Sequence, residues 1–265
     1  MKHTVAKTIK IWWHVALMAA QSQLSSGWSG IGFILGKIFR ILLFFVFLFT
    51  ILQTTKNLAN YNQDQVIWFF LVFTFIDSLI QFVFRGVYQF RALVLSGNYD
   101  LDLLKPLPTF FRPLFGWADF QDLVILIPLV FSMAWFVITR HLVFSFPSLL
   151  LFLFLIIVSM SVALGLHLFI ISLCILTTEI DHLVMIYRDV QALARFPTDI
   201  YAPVIQTVIT YVVPIVVMIT IPAKALLGPL SFLTVASVCL FAALFCFLAF
   251  RLWYFALARY SSASS

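Results

Sequence analysis

Long apolar runs alternate with short polar stretches along this chain. Most of the runs approach about 20 residues, the length that a helix needs to cross roughly 30 Å of hydrocarbon. The pattern predicts an all-α, polytopic membrane protein whose six transmembrane helices lie at Ile38–Leu52 (starting near Ile31), Val66–Phe84, Leu123–Thr139, Leu149–Leu176, Val204–Ile221 and Leu230–Phe250. Because six is an even number, both termini are predicted to lie on the same side of the membrane.

The fifth helix has two alternative placements. Glu179–Phe196 has helical periodicity but carries several charged side chains, so hydropathy favours a cytoplasmic amphipathic helix there. In the alternative placement, Glu179–Phe196 faces a cavity within the membrane, and Val204–Leu227 forms a proline-broken re-entrant hairpin on the outer side. Non-helical backbone at membrane depth is tolerated only where protein or a watery cavity covers it. Both placements keep six helices, and both remain open at this stage.

The composition supports a bilayer as the solvent. The chain is 63% hydrophobic and 10% charged, whereas soluble domains are about 45–50% apolar and about 25% charged. Residues 1–30 combine lysines and tryptophans with modest hydrophobicity, which predicts an N-terminal interfacial helix that does not span. No linker or repeat divides the chain, so residues 1–265 are predicted to form one transmembrane domain.

The distribution of basic residues predicts the orientation. The net charge is +6, but the basic residues form no run or one-faced patch, which argues against nucleic-acid binding. Only Lys56, Arg140 and Lys224 fall on the side opposite the N-terminus. Because positive residues favour the cytoplasm, both termini are predicted to be cytoplasmic.

No catalytic set is recognisable. Gly36-Lys37 is the only Gly-Lys pair, and it lacks the earlier glycine and the following Ser or Thr of a phosphate-binding loop. No histidine has a second histidine or cysteine at ligand spacing, and Cys174, Cys239 and Cys246 lie in apolar runs. The sequence therefore predicts no catalytic residue, no metal site and no cofactor within this chain.

Four polar residues lie inside apolar runs. Asp77, Gln81 and Arg85 are spaced i, i+4 and i+8, which places them on one helical face, and His167 lies in the fourth run. An intramembrane carboxylate costs about 3 kcal/mol and therefore marks function by default. A buried polar network between helices, with Arg85 reaching the interface, is favoured over a substrate or proton site, and His167 is expected to form an interhelical hydrogen bond.

The longest polar stretch connects the second and third predicted helices, at residues 85–118. Gly97-Asn98 predicts a left-handed helix end, and Asp100 or Asp102 is expected to cap a short following turn. Leu101, Leu103 and Leu104 are predicted to form a small apolar cluster. A compact knob of this kind suits docking to a cytoplasmic partner, although an ordinary ordered loop explains the residues equally well.

Three stretches resemble a known family. GNYDLDLLKPL from Gly97, RFPTDIYAPVIQTVITYVVPIVVMITIPAKALLG from Arg195 and the C-terminal RLWYFALARYSSASS are similar to patterns of the ABC-2 family of transporter permeases. The similarity is strongest to six-helix permeases encoded beside an ATPase and a second permease. Where that branch has a basic Leu-Arg-Pro-Leu pattern, this chain has Leu104-Lys105-Pro106-Leu107, which keeps the charge but loses the bidentate geometry of arginine.

The resemblance implies a function. It implies a permease subunit of an ATP-driven transporter that works as an exporter. The permease pairs with a second permease in a prokaryotic inner membrane and binds a dimer of cytoplasmic ATPase subunits that hold ATP and Mg²⁺. It assigns ATPase coupling to Gly97, Asn98, Tyr99, Asp100, Leu101, Asp102, Leu103, Leu104, Lys105 and Pro106, and a candidate gate to Pro197, Pro203, Pro214 and Pro222. The alternative is a membrane scaffold that anchors a cytoplasmic partner without transport.

Overall fold

The fold is built almost entirely from helices, which confirms the all-α prediction. The computed structural model describes residues 5–25, 27–55, 57–58, 61–140, 145–177 and 181–261. The α-helices are α1 (Val5–Leu24), α2 (Trp28–Thr55), α3 (Gln63–Phe84), α4 (Val87–Leu95), α5 (Asn98–Leu103), α6 (Phe111–Phe115), α7 (Phe120–Thr139), α8 (Phe146–Thr177), α9 (Asp181–Gln191), α10 (Pro203–Thr207), α11 (Ile221–Leu227) and α12 (Phe232–Leu257). Two short strands, β1 (Asn57–Leu58) and β2 (Tyr61–Asn62), pair antiparallel before α3.

Five helical stretches among the described residues are long and apolar enough to cross a membrane. They are α2, α3 with α4, α7, α8 and α12. These stretches correspond to five of the six predicted spans. The first begins at Trp28, earlier than the sequence pattern indicated, and the last begins at Phe232, two residues later than predicted. The chain is therefore a multi-pass membrane protein.

The two ends of the bundle differ in structure. We call the end that holds residues 85–118 the segment end, and the opposite end the hairpin end. Lys37 near the start of α2 contacts Asp119 and Asp122 at the start of α7, and Tyr260 just after α12 contacts Asp100. The first residues of α2 and the last residues of α12 thus lie together at the segment end, as an even number of crossings requires.

The fifth crossing is made by the charged stretch and not by the more apolar one. From α9 onward the chain runs antiparallel to α3: Arg188 pairs with Asp77, Arg195 lies over Phe73, and Asp199 accepts a hydrogen bond from Tyr61. A water-exposed cytoplasmic helix could not follow α3 in this way. The hydropathy-based placement of the fifth helix at Val204–Ile221 is therefore wrong, and the alternative placement matches the structure from Asp181 onward; Glu179 and Ile180 lie outside the described residues.

The stretch after this crossing returns to the end from which it starts. Pro203–Val212 and Val216–Leu227 are two helical arms bent by 82° at Pro214. Lys224 in the second arm pairs with Asp199 just before the first arm, at 2.8 Å, and Thr198 contacts Thr220 at 3.1 Å. Because its entry and exit lie side by side, this stretch is a re-entrant hairpin.

Prolines shape the hairpin in ways that their chemistry explains. Pro203 is the first residue of α10, where a missing N–H costs no helical hydrogen bond. Pro222 lies inside the second arm, directly after its π-helical turn Val216–Thr220. Pro214 occupies the bend itself, and Pro197 precedes a 3₁₀ turn at Thr198–Ile200. The structure thus gives all four candidate gate residues a backbone position in or beside the hairpin, while their gating role stays a prediction.

Helix α1 packs against the segment end. Gln23 near its C-terminus donates to the carbonyl of Ala118 and accepts from the amide of Phe120, and Trp12 meets Phe82 edge to face. This confirms that a helix forms within residues 1–30. The first four residues, including Lys2, lie outside the described residues, as does Lys56.

Candidate functional site

The segment between α3 and α7 is an ordered unit of three short helices. Gly97 ends α4 in the left-handed conformation, with φ of 70°, and its N–H bonds the carbonyl of Val94. Glycine adopts this conformation without steric strain because it has no Cβ. The predicted left-handed turn is therefore present, and Asn98 begins α5 immediately after it and bonds Ser96.

Tyr99 anchors α5 to the rest of the protein. Its ring is fully buried, meets Phe90 and Tyr260 edge to face, and its hydroxyl donates to the carbonyl of Thr109 at 3.2 Å. Burial raises the pKa of Tyr99 well above its ordinary value. Burial and the hydrogen bond to Asp100 likewise raise the pKa of Tyr260 to about 12, so both phenols stay protonated and donate.

Asp102, on the inward face of α5, joins α5 to residues that follow it in the segment. One carboxylate oxygen accepts from Lys105 Nζ and from Arg112 Nη1, both at 2.8 Å, although Asp102 is only 8% exposed. Such charge-assisted hydrogen bonds are about twice as strong as neutral ones. The expectation that Asp100 or Asp102 caps the turn is not met, because the N-cap residue of α5 is Gly97 and it provides no side-chain cap.

The leucines of α5 do not form a cluster. Leu101 is 60% exposed and Leu104 is 82% exposed, whereas Leu103 is half-buried and packs against the core. The predicted apolar cluster is therefore wrong, because Tyr99, Asp102 and Leu103 share the inward face of the helix. Pro106 is also exposed. The outward surface of the segment presents Leu101 on α5 and Leu104 at its C-cap.

Gly86 was not recognised from the sequence. A Cβ at this position would lie 2.8 Å from the carbonyl oxygen of Pro113 and 2.9 Å from that of Leu114, which are distances that real Cβ atoms do not show. The absent side chain lets the junction between α3 and α4 lie directly against the backbone of α6. An isolated glycine at a helix junction was the only available signal.

A cavity of about 850 Å³, lined by both charged and apolar side chains, opens between α2, α3, α7 and α9. Asp77, Gln81 and Arg85 all line it, so the predicted single face of α3 is the face that the cavity exposes. Asp77 lies 3.7 Å from Arg188, which also donates to Tyr88. Arg188 in the fifth crossing is thus the cation that faces Asp77 in the second crossing.

A second group of charges lies where this cavity meets the segment end. Arg85 Nη1 donates to Gln81 at 3.2 Å, and Arg85 Nε lies 3.5 Å from Asp119. Lys37 from α2 lies 3.2 Å from Asp119 and 3.0 Å from Asp122. These pairs join three helices, and paired charges of this kind are the ones that a membrane interior tolerates. Arg85 therefore belongs to a polar network.

His167 does not share this cavity. It is 2% exposed, its ring stacks on Phe84, and Tyr187 meets it edge to face. Its Nδ1 contacts the carbonyl of Ala163 in the same helix at 2.7 Å. The hydrogen bond of Nδ1 is therefore within one helix, and not between helices as predicted. His167 contacts the neighbouring helices through packing of its ring.

The cavity also contains residues that the sequence analysis did not assign to it. Lys37, Arg40, Arg188 and Arg195 line it, together with Asp122 and Asp189. The signal that could have found two of them is the charged periodicity of the fifth crossing, which hydropathy alone assigns to water. No cluster of three or more His, Cys, Asp or Glu side chains suited to a metal ion occurs within the described ranges.

These features define a multi-pass helical membrane protein with a charged interior cavity and a rigid segment at one end. A family model described as "ABC-2 family transporter protein" matches residues 38–264. Because the match covers most of the chain, the protein belongs to the ABC-2 transporter family and is a permease component of an ABC transporter. Comparisons with curated proteins and with solved structures found no match.

Proposed function

We propose that this chain is the membrane-spanning subunit of an ATP-driven exporter. A dimer of separate ATPase subunits, which hold ATP and Mg²⁺, docks on the segment end and drives the cavity through its cycle. A second permease subunit, identical or paralogous, completes the pathway. In this proposal the protein lies in a prokaryotic inner membrane with both termini in the cytoplasm.

The observation that carries the proposal is the outward surface of α5. Leu101 and Leu104 expose their side chains to solvent at the end of the bundle, although their helix is held firmly by Tyr99 and Asp102. An exposed apolar pair on a preorganised helix is suited to enter a groove on a partner, since little ordering entropy is lost on binding. The continuous path from α5 through α4 to α3 then leads to the cavity.

The charges outside the crossings support the proposed orientation. Arg140 and Lys224 lie at the hairpin end, where each is paired with an aspartate. Lys7, Lys10, Arg91, Lys105 and Arg112 belong to α1 and the segment end. The excess of basic residues at the segment end favours the cytoplasm for that end.

The test is copurification of the tagged permease with its ATPase, followed by measurement of ATP hydrolysis in nanodiscs. Leu104→Asp should weaken ATPase binding by about 30-fold or more, because it would bury an unpaired charge at the interface. Leu101→Asp should have a similar effect. The half-buried Leu103 is less suitable, since a charge there would also disturb the core.

Leu24→Asp is the matched control. Leu24 is 69% exposed at the end of α1, so the variant adds the same charge without touching α5. Transport and ATPase turnover should stay at the wild-type level in this control. If Leu104→Asp retains its ATPase with substrate-responsive turnover, α5 is not the docking site. If the wild-type protein brings down no ATPase, the scaffold alternative is favoured.

A further inference from the structure

Two arginines in the cavity lack a carboxylate partner. Among the described residues, Lys37, Arg85 and Arg188 each lie within 4 Å of an aspartate, but Arg40 and Arg195 form no such ion pair. Arg40 and Arg195 line the same cavity, and Arg195 lies over the ring of Phe44, one helical turn from Arg40. Asp77 pairs with Arg188, at 3.7 Å.

The position of Arg195 makes the missing partner costly. Its guanidinium carbon lies 4.9 Å from the ring centre of Phe44 and 5.6 Å from that of Phe73. Phe73 lies near the middle of α3, so Arg195 sits near mid-depth in the bundle. An arginine at this depth faces a bundle interior or a cavity and marks a pathway or ligand by default. The two phenylalanine rings supply cation–π contacts but no charge.

The wall beside these arginines is apolar. Arg40 and Phe44 are one turn apart on the same face of α2, and Phe39, Leu43, Phe47 and Phe70 also line the cavity. One region of the cavity thus offers two guanidinium groups, and the neighbouring region offers aromatic and aliphatic side chains. A volume of about 850 Å³ lies in the range that holds a drug-sized molecule.

We infer that this cavity binds an amphiphilic anion, with its acid group between Arg40 and Arg195 and its apolar body against the phenylalanine wall of α2 and α3. Arginine binds carboxylate and phosphate groups through paired N–H donors, and such bonds strengthen away from bulk water. The acid group supplies the negative charge that the two arginines lack. That this ligand is the exported compound rests on the proposed function, whereas the binding itself does not.

Binding is tested on the purified permease alone, in nanodiscs of zwitterionic phosphatidylcholine. The probe is 11-(dansylamino)undecanoic acid, and its methyl ester is the uncharged match. The wild-type protein should bind the acid at least about tenfold more tightly than the ester, since hydrogen bonds to charged groups are worth that factor. Inorganic phosphate alone should compete weakly, because it lacks the apolar body.

Substitutions then locate the acid group. Arg195→Gln and Arg40→Gln should each weaken binding of the acid by about tenfold and leave binding of the ester unchanged. Arg195→Lys should recover much of the loss, since it restores the charge. Arg251→Gln, an exposed arginine on α12 that does not line the cavity, is the control. Equal affinity for acid and ester, or unchanged affinity in both glutamine variants, would overturn the inference.

A second arm identifies the source of the anion. Adding phosphatidylglycerol to the nanodiscs should weaken probe binding if an anionic lipid occupies the site, and should leave it unchanged if the site takes a free amphiphile. Either result supports a site for an acid group. Loss of probe selectivity while the ATPase still copurifies would defeat this inference alone, whereas selective binding without any ATPase would defeat the proposed function alone.

Discussion

Each end of the molecule contains an aspartate that joins several parts of the chain. The two aspartates differ in how far their partners lie from them in the sequence. At the segment end, Asp102 accepts from Lys105 and Arg112, which follow it closely in sequence. At the hairpin end, Asp199 accepts from Tyr61 and pairs with Lys224, so it joins three stretches that are far apart in the chain. The first aspartate is buried, whereas the side chain of Asp199 is 46% exposed.

The difference shows how each end keeps its shape. The partners of Asp102 all lie within the segment, so the short helices of the segment can remain intact while the crossings move relative to one another. The hairpin end has its shape only when α3, the fifth crossing and the hairpin are assembled. Removing one partner of a buried ion pair also costs more than removing one partner of a half-exposed pair, because water screens the latter. Three substitutions test this comparison.

The largest effect is expected for Asp102→Ala. The change removes two charge-assisted hydrogen bonds and leaves Lys105 and Arg112 to be solvated by water. We therefore expect the free energy of local opening to fall by about 2–3 kcal/mol. Hydrogen exchange of the α5 amides should accelerate by about 30-fold or more, and ATPase affinity should fall with it. Asp64→Ala is the control, since its pair with Arg140 is half-exposed at the other end. Unchanged exchange in α5 would show that Asp102 does not fasten the segment.

A smaller effect is expected for Gly97→Val. A Cβ at this position would meet only Asp100 Oδ2, at 3.9 Å, so crowding adds little and the cost comes from the positive φ. That conformation costs a β-branched residue about 1–2 kcal/mol. The measured quantity is hydrogen exchange at the α4–α5 junction, together with coupled ATP hydrolysis. Gly97→Asn should lose much less, because asparagine tolerates the left-handed region; equal losses in both variants would exclude this explanation.

The smallest effect is expected for Asp199→Asn, at under about 1 kcal/mol, as for an exposed ion pair. Burial alone would raise the pKa of Asp199, but hydrogen bonds from Lys224 and Tyr61 hold it below its ordinary value. Because the folded pKa is the lower one, the stabilisation is present above about pH 4 and is lost as the pH falls through the folded pKa. Hydrogen exchange in residues 203–227 should therefore differ between wild type and variant at neutral pH and converge as the pH falls below the folded pKa of Asp199. A difference that grows in acid would contradict this sign.

Features with a local signal were predictable from the sequence. The crossings at α2, α3, α7, α8 and α12 follow from long, mostly apolar runs, and the turn at Gly97 follows from a glycine between two helical stretches. The orientation of α5 could also have been predicted. Tyr99, Asp102 and Leu103 are spaced i, i+3 and i+4, which places them on one face and leaves Leu101 and Leu104 outside.

The fifth crossing depended on partners that lie far away in the chain. Arg188 and Arg195 resemble water-facing residues until Asp77, Phe44 and Phe73 are placed beside them. Hydropathy scores each residue against lipid, whereas these side chains face a cavity lined with opposite charge and aromatic rings. The sequence analysis wrongly placed a crossing in the hairpin for the converse reason. The apolar residues of Val204–Ile221 form a run long enough to span a membrane, although this stretch does not cross it.

Gly86 has a mechanical consequence. The backbone of α6 touches the junction of α3 and α4 with no side chain between them. Two backbones in direct contact form a stiff joint, because there is no rotamer to yield when one of them is pushed. Force applied to the short helices of the segment end would therefore displace α3 as a rigid body. Because Asp77 lies on α3, its carboxylate would move with the helix.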